Sequence, residues 1–437
     1  MRQTMREEVQ QGYRRHLDTL KNGLRVATVE LPHLHSAALV VYAKVGSRYE
    51  SPRDNGLSHF LEHMLFRGTE RHPTSLALNF AIEELGDTLH AETGRDYSLY
   101  QITVAPELVS QGLAILGDIF RTPRFGDLAL ERQIVLEEIR EDLDERGRDV
   151  NLEDRARLAM FPDHPLGQKI TGPMANVRRF SLADVKRHFR RFYGASNLVL
   201  CVSGKVTRRS VLAAARKHLG ELPPGRPATA RTPKQLSGGP RFFYLDNPGS
   251  QTALQLLFRA VPEHAPDYVA MQALLRVLDD GMSTRLHYTL CDQLGLAYYV
   301  GASIEPYHDA ALFELSGASS HGKFPELVRR MLGLCDALRS ELVTEKELAK
   351  AKVRYRTDLL GAIDEADSMA GWFGGTELFY PAPDYRTKID RMERVTRDDV
   401  RRVANFVLTP SRLVAGAAGY LTTRQRKGVA AQIADWR

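Results

Sequence analysis

The chain has 437 residues, 43% of them apolar and 26% charged, a composition typical of a globular protein with one or two domains. Its net charge of +6 comes from interspersed acidic and basic residues, which gives no case for a nucleic-acid partner. No apolar run reaches the length of a membrane span, and the polar character of the first fifteen residues gives no expectation of a secretory signal. Cys201, Cys291 and Cys335 lack C-x-x-C spacing and form no disulfide framework, so a reducing, cytoplasmic location is expected.

Strand and helix signals alternate along the first part of the chain. The Asn22-Gly23 pair predicts a hairpin within residues 16–31. Further strands are predicted over 36–46, 89–93, 97–104 and 197–202. Helices are predicted over 56–68, 74–85, 106–120, 128–145 and 181–193.

A stretch rich in proline and glycine, residues 221–240, separates two regions of similar pattern. Strands near 241–245 and 251–258 and a helix near 266–279 restart the pattern after it. The sequence therefore predicts an N-terminal domain over 1–222, a linker over 223–240 and a C-terminal domain over 241–437.

An internal repeat relates the two regions. Ser181-x-x-Asp184 corresponds to Thr396-x-x-Asp399, and the Ser-x-Leu-Val and Gly-x-x-Thr strings that follow each pair keep the same offset of 215 residues. The alternative is a coincidence of common residue types, but two unrelated helices would not share their register through a following strand and turn. The predicted fold class is α+β, with two homologous α/β half-domains related by duplication.

The segment His59-Phe-Leu-Glu62-His63 is the strongest chemical signal. On a helix, residues i and i+4 share a face, so the two imidazoles form half of a zinc site and Glu62 lies beside them as a candidate base. The alternative is an amphipathic helix with two unrelated histidines. No such motif occurs 215 residues later, so the second half keeps the scaffold without the metal site.

A zinc site of this kind needs a third protein ligand. The acidic helix Glu131–Ile139 is the best candidate, because Glu131, Val135 and Glu138 share one face at i, i+4 and i+7. The alternative is a solvated charged face, and spacing alone does not choose between Glu137 and Glu138.

Together these residues resemble the inverzincin metallopeptidases of the pitrilysin/insulysin family, and most of all their short, two-domain branch, which includes the mitochondrial processing peptidase. The motifs that carry the resemblance are Gly46-Ser47-Arg48, the segment His59–Thr69, the helix Glu131–Ile139, His164-Pro-Leu-Gly167 and Gly295-Leu-Ala-Tyr298.

The resemblance implies a role for each candidate residue. One Zn²⁺ would be bound by His59, His63 and Glu138, and Glu62 would be the general base. Glu131 would orient a ligand histidine, and Tyr298 would grip the substrate. The peptide would add as a strand along His90, Ala91, Glu92 and Thr93, inside the closed chamber of a clamshell-like dimer.

Two positions depart from the family pattern. His90 stands where the family has an asparagine that positions the scissile peptide, and a neutral imidazole either replaces that contact or is only a solvent-facing strand residue. Cys291 stands where the family has an arginine, seven residues before Tyr298; Arg285 fits a different, structural position. A heterodimer is therefore expected, in which a zinc-less homologue supplies an Arg/Tyr pair; a homodimer is the alternative.

The predicted function is that of a zinc metalloendopeptidase acting on peptides or unfolded segments. A non-catalytic scaffold or assembly subunit of the same fold is the competing prediction, favoured by Cys291 and His90. A zinc-dependent binding module, which would hold metal without turnover, is the third.

Overall fold

The structure is a computed structural model that describes residues 8–10, 12–234, 236 and 238–437. Helices and strands form an α+β fold with two sheets, as predicted. The strands are β1 Glu8–Gln10, β2 Tyr13–Thr19, β3 Arg25–Glu30, β4 Ala37–Ala43, β5 His90–Thr93, β6 Ser98–Val104, β7 Leu198–Gly204, β8 Arg241–Asp246, β9 Thr252–Ala260, β10 Tyr299–Pro306, β11 Ala311–Ser319 and β12 Leu413–Gly419.

Sixteen helices accompany these strands in the described part of the chain. They are α1 Leu57–Leu65, α2 Ser75–Glu83, α3 Val109–Arg121, α4 Leu128–Arg140, α5 Leu152–Met160, α6 Met174–Arg179, α7 Leu182–Phe192, α8 Arg208–Leu219, α9 Tyr268–Leu278, α10 Arg285–His287, α11 Phe324–Ser340, α12 Glu345–Ala362, α13 Ala366–Ala370, α14 Tyr385–Glu393, α15 Arg397–Val407 and α16 Thr423–Asp435. Short 3₁₀ and π-helical turns connect some of them.

The chain divides into two compact units, and each unit is assembled from three separate segments. Unit 1 contains the described residues up to Ile139, together with Gln168–Ala230 and Asp358–Asp384. Unit 2 contains Arg140–Gly167, Arg231–Thr357 and Tyr385–Arg437. The domain boundaries predicted above concern contiguous halves of the sequence and stay a prediction, whereas the packing units draw on both halves.

Unit 1 is built on a seven-stranded sheet in the order β1-β2-β3-β7-β4-β6-β5. Adjacent strands of this sheet pair antiparallel, except that β3 and β7 pair in parallel. All residues of the central strands β4 and β7 are buried. On one face, side chains such as Leu39 and Val41 join a core with the apolar faces of α1, α3, α7 and α8.

The opposite face of this sheet is covered by a segment from far along the chain. Helix α13 and the π-helical turn Gly371–Gly375 pack on β4 and β7. The fit requires glycine at position 374, because a Cβ there would lie 2.6 Å from both the Cβ of Cys201 and the ring of Tyr42. This second layer explains why β4 and β7 carry apolar residues on both faces.

Unit 2 repeats the arrangement with a five-stranded sheet in the order β10-β11-β9-β12-β8. Strand β12 pairs in parallel with β8 and antiparallel with β9, as β7 does with β3 and β4. Helix α5 packs on β12 and β9. Its residues Ala156 and Met160 share a buried cluster with Leu257, Leu312 and Val414.

The predicted duplication is confirmed by these elements. Helix α7 and strand β7 recur as α15 and β12 with both ends displaced by 215 residues. The N-caps Ser181 and Thr396 each form a capping box with the aspartate three residues later. Each half also lends one segment to the other sheet: α5 joins unit 2, and the α13 segment joins unit 1.

Two local predictions differ from the structure. Helix α4 ends at Arg140 rather than at residue 145, because Asp144 accepts hydrogen bonds from the backbone N–H groups of Arg146 and Arg148 and so stabilises a turn. Helix α5, with Asn151 as its N-cap, was absent from the predicted elements.

Among the described residues, no helix combines the length and apolar character needed to cross a bilayer.

Candidate active site

Helix α1 carries the His-x-x-Glu-His motif and is anchored by its apolar side. Its residues Leu57, Phe60, Leu61, Met64 and Leu65 are buried in the core of unit 1. The polar residues of the helix are Ser58, which is buried, and the motif residues His59, Glu62 and His63. The motif therefore sits on a rigid element, which favours a fixed geometry for the side chains that it presents.

The start of α1 is held by a buried carboxylate. The N-cap residue is Gly56, which has no side chain to accept hydrogen bonds from the first turn. Glu50 takes this role: its oxygens accept from the N–H of Ser58 at 2.6 Å, the N–H of Gly56 at 2.9 Å and Nδ2 of Asn55 at 3.1 Å. Burial raises the pKa of Glu50 although these hydrogen bonds act in the opposite direction.

The two imidazoles of α1 face one carboxylate of α4. The ring centroids of His59 and His63 are 4.7 Å apart. Nε2 of His59 lies 3.3 Å from Oε1 of Glu138, and Nε2 of His63 lies 3.5 Å from Oε2. One nitrogen from each ring and one Glu138 oxygen all lie within 4.8 Å of one another. Glu138, not Glu137, is thus the acid that meets the histidines.

A second carboxylate of α4 supports His63. Glu131 is 2% exposed, and its Oε1 accepts from Nδ1 of His63 at 2.8 Å. Its Oε2 accepts from Nε of Arg67. This contact leaves Nε2 of His63 pointing at Glu138 with a lone pair for a metal. Burial lowers the pKa of His63, but hydrogen bonds and charges from Glu131 and Glu138 outweigh it and raise that pKa to about 9.

The donor set fits a zinc ion. Two imidazole nitrogens and one carboxylate are the ligands of a catalytic zinc site with an open fourth position. The three side chains come from two helices and turn their donor atoms toward one point, which is the arrangement that a bound metal requires. The buried Nδ1 of His59 has no hydrogen-bond partner among the residues that the structure describes, so only His63 has a supporting acid.

Glu62 is held next to this cluster by the end of the edge strand. The hydroxyl of Thr93, the last residue of β5, donates to Oε2 of Glu62 at 2.5 Å. Strand β5 pairs only with β6 among the described strands, and it lies against α1. His90 and Glu92 are exposed, Ala91 is half-buried and Thr93 is buried. Nε2 of His90 lies 3.3 Å from the Thr88 hydroxyl.

Comparison with known proteins identifies the family of this chain. The family model described as insulinase, peptidase family M16, matches residues 25–174, and the model described as peptidase M16 inactive domain matches residues 179–355. A protein of Rickettsia felis named an uncharacterized zinc protease is 32% identical over 90% of this chain and 95% of its own length. The chain belongs to the M16 peptidase family.

Other relatives fit the processing-type branch of M16. A probable mitochondrial-processing peptidase subunit beta of Schizosaccharomyces pombe is 27% identical, over 91% of this chain and 88% of that protein. The crystal structure of a protease from Helicobacter pylori superimposes with a TM-score of 0.85 at 22% identity, covering 93% of this chain and 99% of that one. At that identity the likeness concerns the fold alone.

Of the two departures from the M16 pattern, His90 lies in β5 of unit 1, and Cys291 lies in unit 2 near Tyr298. Tyr298 is 95% exposed and directly precedes β10. Sγ of Cys291 lies 3.8 Å from the carbonyl oxygen of Tyr298, and burial raises the pKa of the thiol. Arg285 forms a two-pronged ion pair with Glu347, at 2.7 and 3.0 Å. That pair suits the structural role expected for Arg285.

Sequence reasoning missed three supporting residues of this M16 site. Arg67 contacts Glu131 from the turn that follows α1, and its position four residues after His63 in the predicted helix 56–68 was a usable signal. Glu50 caps α1 from outside the helix, and Nε2 of His188 lies 3.0 Å from the hydroxyl of Ser58. No pattern in the sequence pointed to these last two contacts, since each joins residues of different elements.

Proposed function

We propose that this M16 chain is a zinc metalloendopeptidase that cleaves peptides or unfolded protein segments. The observation that carries the proposal is the meeting of His59, His63 and Glu138 beside Glu62, on two separate helices. His59, His63 and Glu138 each offer one metal-binding atom, and Glu62 offers a carboxylate that can act as a base.

His59, His63 and Glu138 would hold the metal, and zinc in such a site supplies a Lewis acid that polarises a carbonyl and makes water more acidic. Glu62 would take the proton of the attacking water and pass it to the leaving amine. Glu131 would keep His63 in the tautomer with Nε2 free for the metal, and Arg67 would keep Glu131 in place.

The substrate would bind as an added strand along β5. The outer edge of β5 offers backbone N–H and C=O groups, and backbone hydrogen bonds select little for sequence. The exposed His90 and Glu92 would then flank the peptide, with His90 where the family has asparagine. Enclosure of the substrate in the closed chamber of a dimer is part of this proposal, as is a reducing, cytoplasmic setting, which the three free cysteines support.

The variant Glu62→Gln tests the assignment of the base. It should keep one zinc per chain and reduce kcat roughly 10²–10⁴-fold, the usual contribution of a general acid–base group. Zinc content by atomic absorption and cleavage of a quenched peptide library measure the two effects. Glu137→Gln, an exposed position on α4, is the control and should behave like the parent. A Glu62→Gln protein that cleaves at the parental rate contradicts the role of Glu62.

Cys291 favours a heterodimer as the active form. A thiol there replaces a guanidinium, with its fixed charge and its fork of donors, so a zinc-less homologue would supply an Arg/Tyr pair. Purification from the native source should recover a second, similar chain that lacks the His-x-x-Glu-His motif. A lone or strictly homodimeric species with full activity contradicts this part of the proposal.

A non-catalytic scaffold or assembly subunit is the second candidate, and Cys291 and His90 are the observations that favour it. Metal analysis combined with the peptide library separates the candidates. Zinc with turnover supports the endopeptidase, zinc without turnover supports a metal-dependent binding module, and absence of zinc supports the scaffold.

A further inference from the structure

We propose that Thr93 is a positioning residue for Glu62, and that it ties the base to the strand that would hold the peptide. The inference rests on the proposed function, since it concerns how that site is held together. Thr93 is 7% exposed, and its hydroxyl reaches Oε2 of Glu62 at 2.5 Å. The side chain of Thr93, which the sequence predicts to line the substrate, therefore contacts Glu62 instead.

The direction of the hydrogen bond follows from the partners of Thr93. Ser98 lies directly opposite Thr93 in the β5–β6 ladder, and its hydroxyl donates to Oγ1 of Thr93 at 3.2 Å. Because a threonine hydroxyl has one proton, accepting from Ser98 leaves that proton for Glu62. The carboxylate thus receives a charge-assisted hydrogen bond of the stronger kind.

The chain of hydroxyls continues into the core. Tyr193 is hydrogen-bonded to Ser98, and the phenol oxygens of Tyr193 and Tyr100 are 2.7 Å apart. Burial is the main cause that raises the pKa of both phenols, and the negative charge of Glu62 adds to it. Both phenols therefore stay neutral donors. A buried row of hydroxyl groups ends at Glu62 and fixes its carboxylate from the side of the sheet.

The Gly46-Ser47-Arg48 motif secures the same end of β5. Arg48 forms a buried ion pair with Asp96 at 3.1 Å, and its backbone N–H donates to the carbonyl of Arg95. Gly46 has φ of 150°, and a Cβ at this position would lie 2.5 Å from the carbonyl oxygen of Gly94. The turn that follows Thr93 is thus clamped, which fixes where its hydroxyl lies.

The test compares Thr93→Val, which has the same shape but no hydroxyl, with Thr93→Ser, which keeps it. Thr93→Val should lower kcat roughly 10–100-fold, because a small displacement of a catalytic group has costs of this order, while KM and zinc content stay within about twofold. Thr93→Ser should recover most of kcat. The matched control is Thr103→Val, which removes a similar hydroxyl–carboxylate bond to Asp367 elsewhere on the sheet and should not change kcat.

Several results would overturn the inference. They are an unchanged kcat in Thr93→Val, a Thr93→Ser variant as slow as Thr93→Val, and a loss of zinc in Thr93→Val. Failure of the proposed function is a different result, namely a zinc-loaded parent that cleaves nothing even together with the similar chain recovered from the native source. In that case thermal midpoints of Thr93→Val, Glu62→Ala and the double variant decide: shifts that add independently overturn the contact between the two side chains, and non-additive shifts support it.

Discussion

Helices α1 and α9 hold equivalent places in the two halves and do different work. Each follows a central strand, β4 or β9, and buries an apolar face against its sheet. The motif residues of α1 are polar, whereas the residues 215 positions later on α9 are Leu274, Val277 and Leu278, which are at most 2% exposed. The scaffold therefore folds with hydrocarbon at these positions. The polar trio of α1 is therefore not a demand of the scaffold, and two of its members are held by contacts from other elements, His63 by Glu131 and Glu62 by Thr93.

The largest difference between α1 and α9 should appear when one side chain of each helix is truncated to alanine. His63→Ala should abolish zinc binding and cleavage, because two remaining ligands do not hold the ion in a catalytic site. Leu278→Ala should leave zinc content unchanged and lower the free energy of unfolding by about 2–5 kcal/mol through the cavity that it creates. Metal analysis and urea denaturation measure the pair. His33→Ala, at an exposed position, is the control for losing a histidine. Loss of zinc in Leu278→Ala would contradict the division of roles between the two helices.

Replacing Glu131, the acid that contacts His63, should have the next largest effect. Glu131→Gln keeps the shape of the side chain but replaces the carboxylate that accepts from His63. We expect zinc affinity to fall about 10–100-fold, as is usual when the partner of a metal-bound histidine is changed. Competition with a chelating indicator measures it. Arg132→Gln, at a neighbouring position that bonds the carbonyl of Phe180, is the control, and equal affinities for Glu131→Gln and the parent would contradict the role of Glu131.

The pH dependence of zinc affinity sharpens the same point. Hydrogen bonds and charges from Glu131 and Glu138 raise the pKa of His63 to about 9, so below that pH the ring carries a proton that zinc must displace. Zinc affinity should therefore rise about tenfold per pH unit for this one proton as pH increases toward 9, and level off above it. Indicator titrations across this range test the slope. In Glu131→Gln the levelling should begin at a lower pH, because one of the two acids that raise the pKa of His63 is gone.

The smallest expected effect concerns what the two halves share. Ser181→Ala and Thr396→Ala each remove the N-cap of a capping box, at the start of α7 and α15. Each should lower the free energy of unfolding by about 1 kcal/mol, since the two caps have the same arrangement. The zinc content of both variants should equal that of the parent. A several-fold difference between the two losses would contradict the equivalence of these helices.

Much of the fold was predictable from the sequence, because repeated local signals determine it. The capping boxes, the Asn22-Gly23 hairpin and the apolar strand at 36–46 are all readable within a few residues. The cover of the second sheet face was not predictable in this way. The glycine-rich segment Gly371–Gly375 and helix α5 pack on strands that are far away in sequence. The composition of these segments does not predict which strands they contact.

The candidate site shows the same limit. The i, i+4 spacing predicted that His59 and His63 share one face of α1. The acidic helix offered both Glu137 and Glu138 as the third ligand, and spacing alone did not choose between them. Only the direction in which each side chain leaves α4 does so. The bond from Thr93 to Glu62 depends on the place where β5 meets α1, which three-dimensional packing decides.

The exchange of helices between the halves has a consequence for cutting the chain. A fragment that ends near residue 222 would lack Asp358–Asp384, and the side chains of Tyr42 and Cys201 would face water instead of Gly374. Its counterpart would lack α5 and leave Val414 and Leu312 bare. Neither half is a self-sufficient folding module, so severing the linker by protease should give two polypeptides that stay associated and that aggregate when they are separated by denaturant.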